Sequence, residues 1–254
     1  MTPRTRGQRG SAGPETRMEE LTRQLLEAHG ELEDLSHTLS HDLRAPLRHL
    51  DGFAALLARH LETRPGALDD QGRHYLGRLI DASRAMGSLI EDMVAYARLG
   101  RRDLHSATVD LDRLVASLRE EFPSGPAWDL GPLGKVKGDP HQLRLVFQHL
   151  LANAVKFSGS MPVPQVRVRR AGAREGRTLF VVEDNGVGFD PAYADQLFGV
   201  FQRLHPREDF PGNGIGLAIV ARAIHYLGGE VWADSRPGEG ARFFLTLEAL
   251  EERP

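Results

Sequence analysis

The chemistry-bearing residues of this 254-residue chain fall into short groups whose order along the sequence is informative. The first group is Ser40-His41-Asp42-Leu43-Arg44-Ala45-Pro46. Asp42 can accept the Nδ1 proton of His41 and leave Nε2 free as a nucleophile of the kind that takes up a phosphoryl group. His41 lies two positions after the apolar Leu39, about 200° around a helix, so its ring faces away from any packed stripe. A solvated His–Asp pair is the plain alternative for these residues taken alone.

The second group is Gln148-His149-Leu150-Leu151-Ala152-Asn153-Ala154-Val155-Lys156-Phe157. Residues 149, 153 and 156 share one helix face, with the Leu pair on the other. The amide oxygen of Asn153 can complete the shell of a mostly hydrated Mg²⁺, and the ammonium of Lys156 can meet phosphate oxygens. A polar solvent face would look the same in an isolated helix.

The third and fourth groups are glycine-rich. Glu183-Asp184-Asn185-Gly186-Val187-Gly188-Phe189 ends an apolar strand, where Asp184 can accept from an exocyclic adenine amine and the glycines Gly186 and Gly188 let backbone approach a flat ring. Gly212-Asn213-Gly214-Ile215-Gly216-Leu217 opens a helix and presents backbone N–H groups to phosphates. Gly238-Glu239-Gly240 reads as a hairpin turn that also lines the site. Each triplet is weak alone. The ordered set Asn…Lys, Asp-x-Gly-x-Gly and Gly-x-Gly-x-Gly is far more specific, and neither the dinucleotide-binding fingerprint nor the P-loop is present.

On these motifs, from about Leu32 to Leu247, the chain resembles the sensor histidine kinases of bacterial two-component systems. Residues 40–48 look like the family's H box, 149–157 its N box, and 184–188 with 212–216 its two glycine boxes. Residues 197–205, Leu-Phe-Gly-Val-Phe-Gln-Arg-Leu-His, look like the F box and are most similar to the phytochrome-like branch. The resemblance implies His41 as phosphoacceptor, Asp42 as its general base, and ATP and Mg²⁺ as cofactors. Asn153 would be the metal ligand, Lys156 a phosphate contact and Asp184 the reader of adenine. Gly186, Gly188, Phe201, Arg203, Gly212, Gly214, Gly216 and Leu217 complete the expected nucleotide site, and 190–212 is the expected lid. His205 stands at the lid's edge.

Three departures from the pattern carry expectations. His149 stands where the N box has Asn, which leaves its role open. Ala45 stands where many members carry Thr or Asn, and a methyl group cannot hold water for phosphatase action. Upstream of Leu21 the chain has only the basic stretch 1–17, so input is expected from a separate sensor protein, from an upstream sensor or through residues 18–39.

Elements must position these groups. Leu21, Leu25, Ala28, Leu32, Leu35, Leu39 and Leu43 form a near-heptad seam that resumes beyond Pro46 through Leu47, Leu50, Ala54, Leu57 and Leu61. A second apolar helix face runs from Leu76 to Ala97, after the break at Arg64-Pro65-Gly66. A narrow stripe on helices this long needs a partner, so the expected unit is a hairpin that dimerises into a four-helix bundle. Beyond Asp103 the pattern is mixed. Helices are expected at 110–122, from Asp139-Pro140 to about Phe157, and at 214–227. Strands are expected at 127–130, 135–138, 165–169, 178–183, 230–235 and 242–248. Helices on one face of a mixed sheet make a two-layer α/β sandwich. The fold class is α+β, with a disordered leader at 1–17, a phosphotransfer hairpin at 18–100 and an ATP-binding domain of the Bergerat fold at 101–254.

The reading is therefore an autophosphorylating protein histidine kinase that passes the phosphoryl group to an Asp of a response regulator. The alternatives are a nucleotide-binding dimeric scaffold without phosphotransfer, or a response-regulator phosphatase. ATPases of the same nucleotide fold put a water-activating Glu on the N-box helix, and position 149 is His here. The 32 basic residues against 35 acidic give no electrostatic reason for a nucleic-acid or anionic-membrane partner. The chain has no Cys, which excludes disulfides and thiolate chemistry. No apolar stretch is long enough for a membrane span, and the expected location is the cytoplasm.

Overall fold

The computed structural model describes residues 47, 48, 50, 52–61, 69–99, 105–206 and 209–250. His41, Asp42 and Ala45, the expected leader and the seam upstream of Leu47 lie outside the described residues.

Helix α1 includes residues 52–61, with 47, 48 and 50 also helical, and α2 is Asp70–Arg98. Asp69 starts α2 as its N-cap, accepting from Gly72 N at 2.7 Å. The two helices meet where Leu47 packs on Gly87, and Leu47, Ala54, Ile90 and Val94 are buried. The seam residues Leu50 and Leu57 are not covered; each is about half exposed, at 50% and 49%. The C-terminal part of α2 also packs Leu89, Met93 and Tyr96 on the core of the sheet domain.

That domain begins with β1 (Ala107–Asp110) and α3 (Leu111–Arg119), then β2 (Ala127–Leu130) and β3 (Lys135–Gly138). Next come α4 (Pro140–Ser158), β4 (Gln165–Arg174) and β5 (Arg177–Asp184). A 3₁₀ helix at Pro191–Phe198, α5 (Gly216–Tyr226), β6 (Val231–Ser235) and β7 (Ala241–Ala249) complete it. The seven strands form one sheet in the order β1-β3-β7-β5-β4-β2, with β6 also paired to β7. Only β2–β4 is parallel.

The alternation of the strands explains the two layers. Val166, Val168, Phe180, Val182, Phe243, Leu245 and Leu247 point to one face and are buried under the helices. The other face carries a register row of alternating charge: Asp129 opposite Arg167, Arg167 opposite Glu183, Glu183 opposite Arg242, and Arg242 opposite Asp234. Arg167 Nε lies 2.6 Å from Asp129, and Arg169 Nη2 lies 3.0 Å from Glu183. Exposed pairs like these stabilise little, but they keep the open face wet and fix register.

Four elements depart from expectation. Strand β1 carries no pattern long enough to read, being four residues paired to β3. Helix α3 stops at Arg119 rather than 122, because Phe122 precedes Pro123 and the turn tightens to i→i−3 bonds from Glu121 and Phe122. Strand β4 runs to Arg174, held by β5 past an irregularity between Arg170 and Ala173 that the polar sequence hides. The segment 190–212 holds the 3₁₀ helix, started by Asp190 accepting from Ala192 N at 2.9 Å.

Candidate functional site

Asp139 caps α4, accepting from His141 N at 2.9 Å and Gln142 N at 3.0 Å, with Pro140 in the first turn. The helix buries Leu143, Val146, Phe147, Leu150, Leu151 and Ala154 at helical spacing. Packing that stripe on the sheet turns the opposite face, with His149, Asn153 and Lys156, into a cavity of ≈ 400 Å³ between α4 and α5. The volume is in the range of small-ligand sites.

Of the residues singled out in the sequence, Asn153, Lys156, Asp184, Gly188, Arg203, Gly212, Gly214, Gly216 and Leu217 all line this one cavity. Two do not. Gly186 sits beside it, its N–H donating to Asp184 Oδ1 at 2.9 Å. Phe201 stands outside, 58% exposed and with φ +63.

Asp184 ends β5 at the cavity floor. Burial raises its carboxyl to about 6, against the opposing effect of bonds from the Gly186 and Ala241 N–H groups. The neighbouring Asn185 is structural: its Oδ1 accepts from Gln165 N at 2.8 Å and its Nδ2 donates to Val163 O at 2.9 Å. The third glycine group braces this loop. Gly238 N donates to Val187 O at 2.7 Å, Phe189 N to Ser235 Oγ at 2.8 Å, and Ser235 Oγ to Gly240 O at 2.6 Å. Gly240 has φ +83, and a Cβ there would overlap the Asp184 carbonyl, so only glycine fits.

The other end of the cavity is electropositive. No side chain caps α5 at Ile215, which leaves the first-turn N–H groups, beginning at Gly216, for a ligand or solvent. Desolvation, with Arg203 nearby, lowers the Lys156 ammonium to about 8, and Nζ lies 4.3 Å from the Phe157 ring centroid. His149 packs on Gly216; burial lowers its imidazole to about 4, so it is neutral near pH 7.

Segment 190–212 is tied down on this side. Arg203 donates to the Phe210 carbonyl at 2.8 Å and to that of Gly212, so its guanidinium braces backbone. His205 Nε2 donates to Gly188 O at 2.9 Å, and its ring clusters with Phe157 and Phe210 at 5.4 and 5.3 Å. Sequence reading missed Phe210 and two α2 residues on the cavity wall, Ser88 and Asp92. Nothing in the local pattern around 88–92 separates them from an ordinary polar helix face.

An acceptor at one end and a helix N-terminus with an ammonium at the other suit a molecule with an amine-bearing flat ring and phosphates. Among the described residues no cluster of three acidic or His side chains could hold a metal alone. Asn153 fits a hydrated divalent cation shared with phosphate oxygens, for which one amide ligand suffices.

Comparison with known proteins agrees with that geometry. Residues 138–251 match the family model described as histidine kinase-, DNA gyrase B-, and HSP90-like ATPase. Residues 31–102 match the His Kinase A (phospho-acceptor) domain. The chain is 31% identical to the phytochrome-like protein Cph1 of Synechocystis sp., over 90% of this chain and 30% of that protein. It is also 31% identical to the methanogenesis regulatory histidine kinase FilI of Methanothrix harundinacea, over 85% of this chain and 24% of the relative. The chain thus spans less than a third of these two curated relatives. The crystal structure of full-length ShkA in complex with AMPPNP superposes with a TM-score of 0.63 at 29% identity, covering 84% of this chain and 45% of that one.

Proposed function

Because this chain belongs to the histidine kinases of two-component systems, joining a phospho-acceptor segment to an ATPase-like one, we propose that it moves the γ-phosphoryl group of ATP to His41 and on to an Asp of a response regulator. The observation that carries this is the single cavity lined by Asn153, Lys156, Asp184 and the uncapped first turn of α5. Asp184 accepts the adenine amine, and the α5 amides with Lys156 hold the phosphates. Mg²⁺, held by Asn153 and the phosphates, would supply charge neutralisation at the β- and γ-oxygens.

In the transfer, His41 Nε2 forms a bond to the γ-phosphorus as the bond to the β–γ bridging oxygen breaks. The electron pair leaves with ADP, and Asp42 holds the Nδ1 proton. A carboxylate of the regulator then takes the phosphoryl group and frees the imidazole. The protein's part is positioning and electrostatics: Lys156 and the α5 amides stabilise the charge that shifts to the leaving phosphate.

The proposed division is a hairpin at 18–100 and a nucleotide domain at 101–254. Homodimerisation is supported by Leu50, Phe53 and Leu57, exposed on one side of α1 at i, i+3, i+7. No described helix is long and apolar enough to cross a membrane. A cytoplasmic site of action, with input from a separate or upstream sensor, follows from the ATP and response-regulator chemistry. Incubation with γ-labelled ATP tests the proposal. Wild type takes up label that survives base and not acid, and His41→Gln takes up none while still binding ATP. Acid-labile label on His41→Gln refutes His41 as acceptor.

A further inference from the structure

The hairpin reaches into the cavity. Ser88 and Asp92, one turn apart on α2, form part of its wall. Both meet Asn213, which stands between Gly212 and Gly214 in the approach to α5: its Nδ2 donates to Ser88 Oγ at 3.3 Å and to Asp92 Oδ2 at 3.4 Å. One turn further along α2, the Tyr96 ring lies under the Arg222 guanidinium of α5, 4.5 Å from ring centroid to Cζ. With Leu89 and Met93 packed on the core between these points, α2 is docked along its last turns by a polar clasp, an apolar strip and a cation–π contact.

The clasp sits at the wrong place for an anion. Gly212, Gly214, Gly216 and Lys156 make this end of the cavity the one suited to phosphates, and Asp92 brings a carboxylate to it. Burial holds the Asp92 carboxyl above its ordinary value, opposed by the Asn213 bond, so the docked carboxylate is already partly desolvated. A triphosphate entering would add several negative charges to the same low-dielectric space. It would also compete for the amide of Asn213, which the clasp occupies.

We propose that α2 is a built-in competitor of the nucleotide's phosphates: the Asp92–Asn213 clasp and the Tyr96–Arg222 contact hold the hairpin docked, and docking and triphosphate binding exclude one another. The inference rests on reading the cavity as a nucleotide site. By reciprocity, whatever pulls α2 from α5 tightens ATP binding, and ATP loosens α2 by the same factor. The second helix of the phospho-acceptor segment thereby transmits the state of the hairpin to the cavity without contact from any other protein.

Titration calorimetry on the full chain with ATP and with adenosine tests this. Asp92→Asn, which keeps shape and removes charge, should tighten ATP about 10-fold and leave adenosine within about 2-fold. Ser88→Asp, which adds a carboxylate to the same wall, should weaken ATP by a similar factor and again spare adenosine. Tyr96→Leu lies away from the phosphates and should also tighten ATP, because docking is lost. If Tyr96→Leu does not fold, the two polar variants still decide the matter. ATP affinities unchanged by Asp92→Asn and Ser88→Asp overturn the proposal, as do parallel shifts for ATP and adenosine. Absence of any adenine-compound binding by wild type and variants alike overturns the nucleotide reading, and the competitor with it.

Discussion

Asp184 shows how one side chain is set between folding and binding. Burial pushes its carboxyl up to about 6, while the ionised form is the stronger acceptor for the adenine amine in the proposed role. The folded protein holds this proton up to about 6, whereas the unfolded chain releases it near 3.8, so stability is highest below that window and declines as pH rises through it. Adenine-nucleotide affinity should run the other way, falling as pH drops through 6. Asp184→Asn separates the two effects. It should weaken ATP binding by about 10- to 100-fold through loss of a charged acceptor, while raising unfolding stability at pH 7 by on the order of 2 kcal/mol. Calorimetric titration and denaturant unfolding on one sample check both signs; a variant that loses binding and stability together would mean the side chain is structural.

At the scale of elements, the loop between β6 and β7 is a brace for the end of β5. Gly238 and Gly240 both have positive φ, +79 and +83, but only Gly240 abuts other backbone, while Gly238 has open space where a Cβ would go. Gly238→Ala should therefore cost about 1 kcal/mol, from backbone strain alone. Gly240→Ala should cost about 3 kcal/mol or more and lower ATP affinity, because the Asp184 carbonyl must move. Equal unfolding midpoints for the two variants would contradict the brace. The same loop shows what a spacing argument can reach: Gly-x-Gly here reads as a turn, but its partner on β5, more than fifty residues earlier, becomes visible only when β7 pairs with β5.

For the whole molecule, α2 belongs to two units. Leu47 of α1 packs on Gly87, beyond the middle of α2, and the last turns of α2 lie on α5 and the core. The uncovered Leu50 and Leu57 leave the hairpin with an apolar side that one chain does not satisfy. The double variant Leu50→Asp, Leu57→Asp should therefore convert a dimer to a monomer in sedimentation, with the nucleotide domain still binding ATP. A wild type that sediments as a monomer at micromolar concentration would remove the dimer from the scheme.

The order of the motifs, the helix faces and most strands were legible in the sequence, because each depends on neighbours within a turn or a pleat. Capping by Asp139, the stripe Leu143 to Ala154 and the polar face of His149, Asn153 and Lys156 are of this kind. Other features came only from packing. Phe201, inside a recognisable motif, lies outside the cavity, while Asp92, inside none, forms part of its wall. The titration of Asp184 and the neutrality of His149 depend on what long-range contacts exclude, namely water. Local periodicity decides which way a side chain faces; only the tertiary structure decides what it faces, since that is fixed by segments far away in sequence and by the solvent they displace.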